Sequence, residues 1–400
     1  MGAGTAQRGA CLLISGKVRK NMEFVVFAGV LLLLFIFMIV QELIQTKNQE
    51  KLFKKYLREN YGKEPPKEYS LERFARLGSY LERHKEEKQL DDITWNDLGM
   101  DEVFRRIDRT YSAAGEEYLY YTLRNISCGR EALEHLEEVV NWLQEQENIK
   151  VRIQLLMKRL GHLGKYSLYD YLDNLDYLGE RSNRKIVLGN LLYLPFLLLL
   201  FVQPAMGTIG IVLCMLWHIM TYFREKKVIE PYIISFAYVL RLIDVCEELE
   251  KQKIPVYRRE LDELREALKS LRELRRGAYW VMAGNQGKIG GNPLDILADY
   301  LRMILHLDIF QFNRMLEKLR KKTGQVETML AITGYLDMAI SVGGFRKSLE
   351  GYCIPKLEED TEKAFLHMKK GWHPLLSQPV KNSIRAVSYT HLTLPTNSLV

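Results

Sequence analysis

Residues 186–223 read IVLGNLLYLPFLLLLFVQPAMGTIGIVLCMLWHIMTYF, and this stretch decides the fold. It contains two apolar runs, Ile186–Val202 and Met206–Phe223, joined by Gln203-Pro204-Ala205. As a helix, each run covers most of a hydrocarbon core of about 30 Å. The connection is too short for a domain, so we expect a helical hairpin that dips through a bilayer.

Positive charges flank both open ends of this predicted hairpin. The flanking cations are Arg181, Arg184 and Lys185 before it and Arg224, Lys226 and Lys227 after it. Because lysine and arginine flanks remain on the cytoplasmic side, we expect both soluble neighbours of the hairpin to be cytoplasmic. Two unusual residues lie inside the spans, Pro195 and His218. A lone histidine inside a span can be functional, but this one is near the end of a span and we expect it to reach the interface.

A further apolar run, Phe24–Val40, carries no charge and is extended by Leu43-Ile44. It predicts a first span over 24–44. Bulky residues and Glu42 follow the run instead of a small-residue cleavage site, which favours an uncleaved anchor over a signal peptide. Three cations at 17–20 would hold the N-terminus inside, in conflict with a cytoplasmic segment after the span. Translation that starts at Met22 would remove them, and we adopt this start as a hypothesis.

Elsewhere the apolar residues recur at helical spacing. One stripe contains Leu133, Leu136, Val140 and Leu143, and a second contains Leu261, Leu264, Leu268, Leu271 and Leu274. A third, Leu297, Leu301, Ile304 and Leu305, predicts a further buried face. Pro65-Pro66 and Gly290-Gly291-Asn292-Pro293 are typical of turns. The predicted soluble fold is therefore all-α and built from long helices.

Composition limits the classes of function. The 400 residues are 47% hydrophobic, which permits several folded segments, and the formal charge of +7 permits contact with phosphates or anionic lipid without requiring it. The five cysteines and eight histidines are scattered, so neither a disulfide framework nor a metal site is indicated. The residues identify no catalytic set.

The segment from Asp92 to Leu172 has a distinctive order. Leu98-Gly99-Met100-Asp101 precedes Ile107-Asp108-Arg109-Thr110-Tyr111-Ser112-Ala113-Ala114-Gly115, and helical residues follow. Locally, Ser112 can cap a helix, Glu116 and Glu117 suit its first turn, and Gly115 permits close approach of another element. These local roles are structural.

The order resembles the core and lever region of the MutS family of DNA mismatch-repair ATPases, in which a Leu-Asp-x-Thr-x-Thr/Ser-x-x-Gly segment precedes long lever helices. Gly334-Tyr335-Leu336-Asp337, continuing to Ile340, and then Tyr352-Cys353-Ile354-Pro355 look like the last lever helix and its exit. His373-Pro374-Leu375 and Asn382-Ser383-Ile384 look like the opening of the ATPase domain. The resemblance covers roughly 92–172 and 228–384.

Three features depart from that family. The N-terminal mismatch-reading domain is replaced by an anchor and helices, a transmembrane hairpin splits the lever, and no P-loop occurs. A P-loop needs a glycine turn, a lysine and a Ser/Thr in fixed spacing. The nearest match, Gly284-Asn285-Gln286-Gly287-Lys288, has the wrong glycine spacing and Ile289 in place of the hydroxyl residue, so we interpret it as a turn. The resemblance is therefore to a membrane-associated branch.

The family resemblance implies that Pro379, Val380 and Asn382 border the adenine of ATP. The resemblance further implies that ATP and Mg bind the full-length parent, whereas the present chain should not bind either tightly. From Arg385 onward the pattern breaks, and the sequence resembles a tail found at the ends of unrelated proteins predicted from assembled reads. We expect residues 385–400 to be an artefact; a genuine short polar tail is the alternative.

Contact with duplex or branched DNA is a further expectation. The candidate phosphate-binding side chains are Arg272, Arg275, Arg276, Lys321 and Lys322. Interleaved acids such as Glu273 weaken this interpretation, since mixed charge is typical of a solvated helix face.

The predicted order is a tail over 1–23, a span over 24–44, a helical linker over 45–90 and a MutS core-like segment over 91–180. The hairpin over 186–223, a lever-like segment over 224–370, the start of an α/β ATPase domain over 371–384 and the anomalous tail follow. The function expected from the resemblance is that of a fragment of a membrane-anchored, dimeric MutS-like ATPase acting on DNA. The alternative is a non-enzymatic membrane scaffold that binds a protein partner. A transporter is disfavoured because the spans are few and nearly free of charge.

Overall fold

The computed structural model describes residues 36–63, 69, 71–86, 88–126, 129–163, 167–275, 293–358, 365–376 and 378–387. Within these ranges the chain is mostly helical, as predicted, with two short strands. It divides into two compact units, one formed by residues 1–59 with 290–294 and the other by the remainder.

In the smaller unit, residues 36–60 belong to one helix, α1, whose last residue lies in the larger unit. Its first described turns expose Ile36, Phe37, Met38 and other apolar side chains. Most of the predicted first span, 24–35, lies outside the described residues.

The first half of the larger unit consists of short helices that precede the hairpin. They are α2 (Leu71–Arg83), α3 (Asp92–Asp97), α4 (Met100–Ile107), α5 (Ala113–Arg124), α6 (Arg130–Glu145), α7 (Glu147–Leu160) and α8 (Leu168–Asp173), which a 3-10 turn, Asn174–Leu178, follows. Side-chain caps start several of them: Asp91 accepts from the Thr94 amide, and Ser167 forms a capping box with Asp170.

The hairpin and the second half follow. The helices are α9 (Arg184–Leu191), α10 (Tyr193–Val202), α11 (Pro204–Glu250), α12 (Arg258–Leu271), α13 (Pro293–Leu305), α14 (Leu307–Arg320) and α15 (Thr323–Ser348). Short 3-10 turns, Pro255–Tyr257 and Arg272–Arg275, bracket α12.

The predicted hairpin is present in shape. Among the described residues, three helical segments are long and apolar enough to cross a membrane: Arg184–Val202, Pro204–Glu230 and Thr323–Ser348. The first two are the hairpin, and only 6% and 28% of their apolar windows are buried. They pack closely through glycine, since a Cβ on Gly207 would lie 2.6 Å from the backbone nitrogen of Leu200. Small residues at such a contact are typical of membrane helix pairs.

The third segment, α15, is apolar for a different reason. Its window is 72% buried, and it packs against α5, α6, α7 and α12 at the centre of the larger unit. A helix that is apolar on all sides is a core helix when protein surrounds it. The composition of α15 therefore reflects its place in the core.

The second hairpin helix does not end at Phe223 as predicted. The connection is Gln203 alone, Pro204 occupies the first helical turn, and α11 continues without interruption for 47 residues, about 70 Å. Its second half is buried, with Phe236, Leu242 and Val245 at most 1% exposed. One helix thus connects the apolar hairpin to the soluble core.

One of the three predicted helical stripes is confirmed in full, because all five leucines of the second stripe, in α12 and the turn after it, are buried. In the first stripe, Val140 and Leu143 of α6 are buried, whereas Leu133 is 39% exposed. The third prediction is wrong in part, because Leu301 of α13 is 38% exposed. Helical periodicity identifies the apolar face but does not specify what covers it.

The two strands form an antiparallel pair at the C-terminal end of the described chain. They are β1 (Phe365–Gly371) and β2 (Asn382–Val387), with Met368 opposite Ile384 and a bulge before Gly371. The sequence predicts a helical segment up to residue 370. That boundary is wrong by six residues, because β1 begins at Phe365. The pairing also continues past Ile384, with Arg385 opposite His367.

Candidate functional site

The segment Asp108–Glu117, which lies within the first region of the family resemblance (92–172), forms a buried junction with α15. Ser112 is the N-cap of α5 and accepts a hydrogen bond from the Gly115 amide at 3.1 Å, which confirms the predicted cap. The same hydroxyl donates to Asp337 Oδ2 of α15 at 2.6 Å. The backbone amides of Tyr111 and Ser112 donate to that oxygen at 3.0 and 2.8 Å. One buried carboxylate therefore collects three donors from the start of α5.

A second carboxylate fixes the turn that leads into this junction. Asp108 is fully buried and accepts from the Thr110 amide at 2.9 Å, from the Thr110 hydroxyl at 2.6 Å and from the Tyr69 hydroxyl. Ser341 of α15 donates to the carbonyl of Ile107 and accepts from the amide of Arg109, both at 2.8 Å. Buried polar groups need such partners, and these bonds define one backbone path.

Two glycines allow the helices to approach this closely. A Cβ on Gly115 would lie 2.4 Å from Asp337 Oδ2, and a Cβ on Gly334 would lie 2.6 Å from the carbonyl oxygen of Ala114. Neither space can hold a methyl group, so α5 and α15 meet backbone to backbone. The predicted close approach at Gly115 is confirmed.

The two acidic residues that follow differ in role. Glu116 forms ion pairs with Arg73 and with Arg76, whose Nη2 lies 2.8 Å from Glu116 Oε2. Arg76 is itself buried, at 6% exposed, so this pair joins α2 to α5 inside the protein. Removing one member of a buried pair leaves an uncompensated charge, which is strongly destabilising.

Glu117, by contrast, forms no ion pair among the described residues and is only 2% exposed. Burial raises the pKa of its carboxyl to about 8, although the hydroxyl of Ser167, 2.9 Å from Oε2, and the charge of Arg76 act in the opposite direction. The side chain is therefore largely protonated at neutral pH.

Chemically, this junction can connect helices but cannot carry out a reaction. Ser112, Asp108 and Asp337 are at most 1% exposed, so no substrate can reach them. Sequence reasoning found the cap and the glycine but missed Arg73 and Arg76. A pair of arginines on an amphipathic helix resembles a solvated face, and no local signal indicates a partner forty residues away.

The structure brings two of the predicted DNA-binding runs together. Lys318 Nζ of α14 lies 2.8 Å from Glu273 Oε2, and Lys322 Nζ, just before α15, donates to the carbonyl of Ser270. The end of α14 and the start of α15 therefore border the end of α12 and the turn after it. Arg272 and Lys321 are exposed. Arg275 ends the 3-10 turn, and Arg276 lies outside the described residues. Lys321 is 3.8 Å from Glu317, so acids share this surface.

The predicted adenine-proximal residues lie in and before β2. Val380 is 77% exposed, Pro379 is half-buried, and Asn382 begins the strand opposite Gly371. All three residues lie within the described part of the chain. The candidate phosphate turn at 284–288 is outside it.

No group of three or more histidine, cysteine or acidic side chains among the described residues could hold a metal ion. Cys214 and Cys246 are buried and reduced, and Cys353 is exposed. Comparison with known proteins found no matching family model, no matching curated protein and no matching solved structure.

Proposed function

We propose that this chain is the membrane-anchored helical arm of a MutS-like ATPase that acts on DNA. The observation that carries the proposal is the junction between Ser112 and Asp337, which are 225 residues apart in sequence. The segments that resemble the family were chosen from residue order alone, on either side of the hairpin. Their direct contact supports the view that they form one unit, as the core and lever do.

The helices suit the transmission of movement. The 26-residue α15 contributes both Asp337 and Ser341 to the junction and precedes the C-terminal strands. Because Gly115 and Gly334 leave no free space, displacement of α15 must displace α5 with it. The long helix α11 packs on the same core and continues into the hairpin. We propose that the arm couples a nucleotide-driven movement to DNA held near the membrane.

The exposed apolar band on the hairpin supports its assignment to the bilayer. Val187, Leu198, Phe201 and Met220 are 46–90% exposed, which is unfavourable in water and favourable in lipid. We assign the soluble segments to the cytoplasm from the cationic flanks.

ATP and Mg belong to the full-length parent in this proposal. The sequence contains no G-x-x-x-x-G-K-[ST] motif, so this chain should bind nucleotide weakly at most. Apolar side chains on β1 and β2, among them Phe365, Leu366 and Ile384, are 48–60% exposed. An isolated two-stranded sheet is marginal in water, and these faces suit packing against further strands of an α/β domain. Pro379, Val380 and Asn382 would border the adenine there.

DNA binding is tested with the chain reconstituted in lipid nanodiscs. Fluorescence anisotropy with labelled duplex and four-way-junction DNA is measured over a series of salt concentrations. The test variant carries Arg272→Ala, Lys321→Ala and Lys322→Ala. The slope of log K against log salt is negative, and each lost phosphate contact should make it less steep by about 0.9.

The matched control carries Arg105→Ala, Arg159→Ala and Arg259→Ala, which removes the same charge from surface side chains that form ion pairs elsewhere. A slope that becomes less steep in the test variant alone supports the DNA role. If the wild-type chain binds neither DNA at low salt, the DNA role is wrong and the alternative, a membrane scaffold for a protein partner, takes its place. Light scattering of the same samples tests the proposed homodimer.

A further inference from the structure

A cavity of about 850 Å³ lies at the base of the hairpin. The loop after the Asn174–Leu178 turn, the first turns of α9, residues 217–228 of α11 and the start of α14 form its walls. Residues from both open ends of the hairpin therefore line the same cavity. If the hairpin spans a bilayer, this is the level at which lipid phosphates lie.

The wall carries three cations, Arg181, Lys185 and Arg224, and two carboxylates, Glu180 and Glu225. Arg181 forms an ion pair with Glu225 and donates to Asn313 Oδ1 at 3.1 Å. These two contacts fix the Arg181 side chain. Lys185 and Arg224 also line the cavity, and neither forms an ion pair within the part of the chain that the structure describes. Glu180 offsets one of these two charges, so the wall keeps a net charge of +1, which favours an anionic ligand.

The deeper wall is built from buried polar side chains. His218 and His306 are 1% and 6% exposed, and their ring centres are 5.4 Å apart. The Thr221 hydroxyl donates to a backbone carbonyl and so accepts from Nε2 of His306 at 3.3 Å. Nδ1 of His306 is then buried without a hydrogen-bond partner among the described residues. Burial and the neighbouring His218 lower the pKa of His306 to about 4, so the ring is neutral and Nδ1 can accept a hydrogen bond from a headgroup hydroxyl or N–H.

Part of the lining is apolar, and a lipid could contact this part whereas a free phosphate ion could not. Ile186, Trp217 and Val228 line the cavity, and Trp217 is 51% exposed beside it. Tryptophan is enriched at the level of lipid headgroups. A phosphate ester attached to acyl chains would satisfy both the cations and this apolar margin.

We propose that this cavity binds the phosphate headgroup of a membrane phospholipid, with Lys185 and Arg224 at the rim and His306 at its inner wall. The inference rests on the membrane assignment made under the proposed function but does not depend on the ATPase or the DNA role. Such a site would hold residues 217–228 of α11 at a defined depth in the bilayer.

The test is native mass spectrometry of the protein released from detergent that contains phosphatidylglycerol, phosphatidylethanolamine or diacylglycerol. The test variant carries Lys185→Gln and Arg224→Gln. The control carries Arg184→Gln and Lys227→Gln, two exposed cations of the same flanks that do not line the cavity. We expect the wild type and the control to retain one phospholipid and no diacylglycerol, and the test variant to retain about tenfold less phospholipid, a loss of about 1.4 kcal/mol.

Equal phospholipid retention by the two variants would overturn the proposal. A lipid that inorganic phosphate displaces completely would assign the cavity to a free phosphate and overturn the lipid assignment. Flotation of all three proteins with phosphatidylglycerol liposomes separates the two levels of inference. If the wild type does not float, the membrane assignment itself fails; if all three float and retention is unchanged, only the headgroup site fails.

Discussion

Replacement of Glu117 by glutamine should change how the stability of this protein depends on pH. Glutamine has nearly the shape of a protonated carboxyl and can still accept from the Ser167 hydroxyl at 2.9 Å. It cannot acquire a charge. Because burial raises the pKa of Glu117 from 4.5 to about 8, the wild-type protein must either keep a proton or bury a charge as pH rises.

Proton linkage gives the sign and the size of the change in folding stability that Glu117 causes as pH rises. Below pH about 4.5 the carboxyl is protonated in both the folded and the unfolded states, so it contributes no pH dependence there. As pH rises from about 4.5 to about 8, only the unfolded chain releases the proton, and the folded state loses stability. The loss is on the order of 3 kcal/mol by pH 7 and 4 to 5 kcal/mol above pH 8.

The assay is unfolding of the wild type and E117Q in the same detergent, monitored by circular dichroism from about pH 5 to pH 9. Taking the difference between the two proteins removes the contributions of groups common to both, including the neighbouring Arg76 and Asp170. The difference should be small at pH 5 and should favour E117Q increasingly toward pH 9. A difference that does not change across this range would show that Glu117 titrates normally and that burial does not raise its pKa.

Two further predictions concern helix contacts, each measured as the free energy of unfolding. Asp337→Ala leaves two backbone amides and a serine hydroxyl buried without their acceptor, so it should cost about 3 to 5 kcal/mol. The exposed carboxylate control Asp262→Ala should cost less than about 1 kcal/mol, and similar costs for the two would contradict the junction. Gly207→Ala places a methyl group against the backbone of Leu200 and should cost about 1 to 3 kcal/mol, whereas Gly78→Ala, with open space around it, should be neutral or stabilising. A harmless Gly207→Ala would show that the hairpin helices are further apart.

The sequence predicts those parts of the fold that composition and period determine. The apolar runs at 186–202 and 206–223 locate the hairpin because each is long and apolar enough to cross a membrane. The α12 leucine stripe locates a buried face. The α11 continuation was not predicted, because the charges at Arg224–Lys227 and the proline at 231 are typical of a helix end. Packing of its second half in the core stabilises the helix through both features.

Long-range partners are the part that sequence reasoning could not supply. Ser112 and Gly115 have local signatures, a cap and a small residue, and both were identified. The partners of the adjacent acids were not, since Arg73 and Arg76 carry no signal that distinguishes a buried ion pair from a solvated one. Strand β1 was missed because FLHMKKG lacks the alternation of a half-buried strand, and both Phe365 and Leu366 are exposed.

The central claim, that this chain is the arm of a MutS-like ATPase, is tested most directly by sequencing the gene through the codon for Ile384. The proposal predicts a reading frame that continues from Ile384 into a strand and a G-x-x-x-x-G-K-[ST] motif, with residues 385–400 replaced. A frame that encodes the sequence to Val400 and then stops would contradict the ATPase assignment. The junction and the hairpin would then belong to a membrane scaffold.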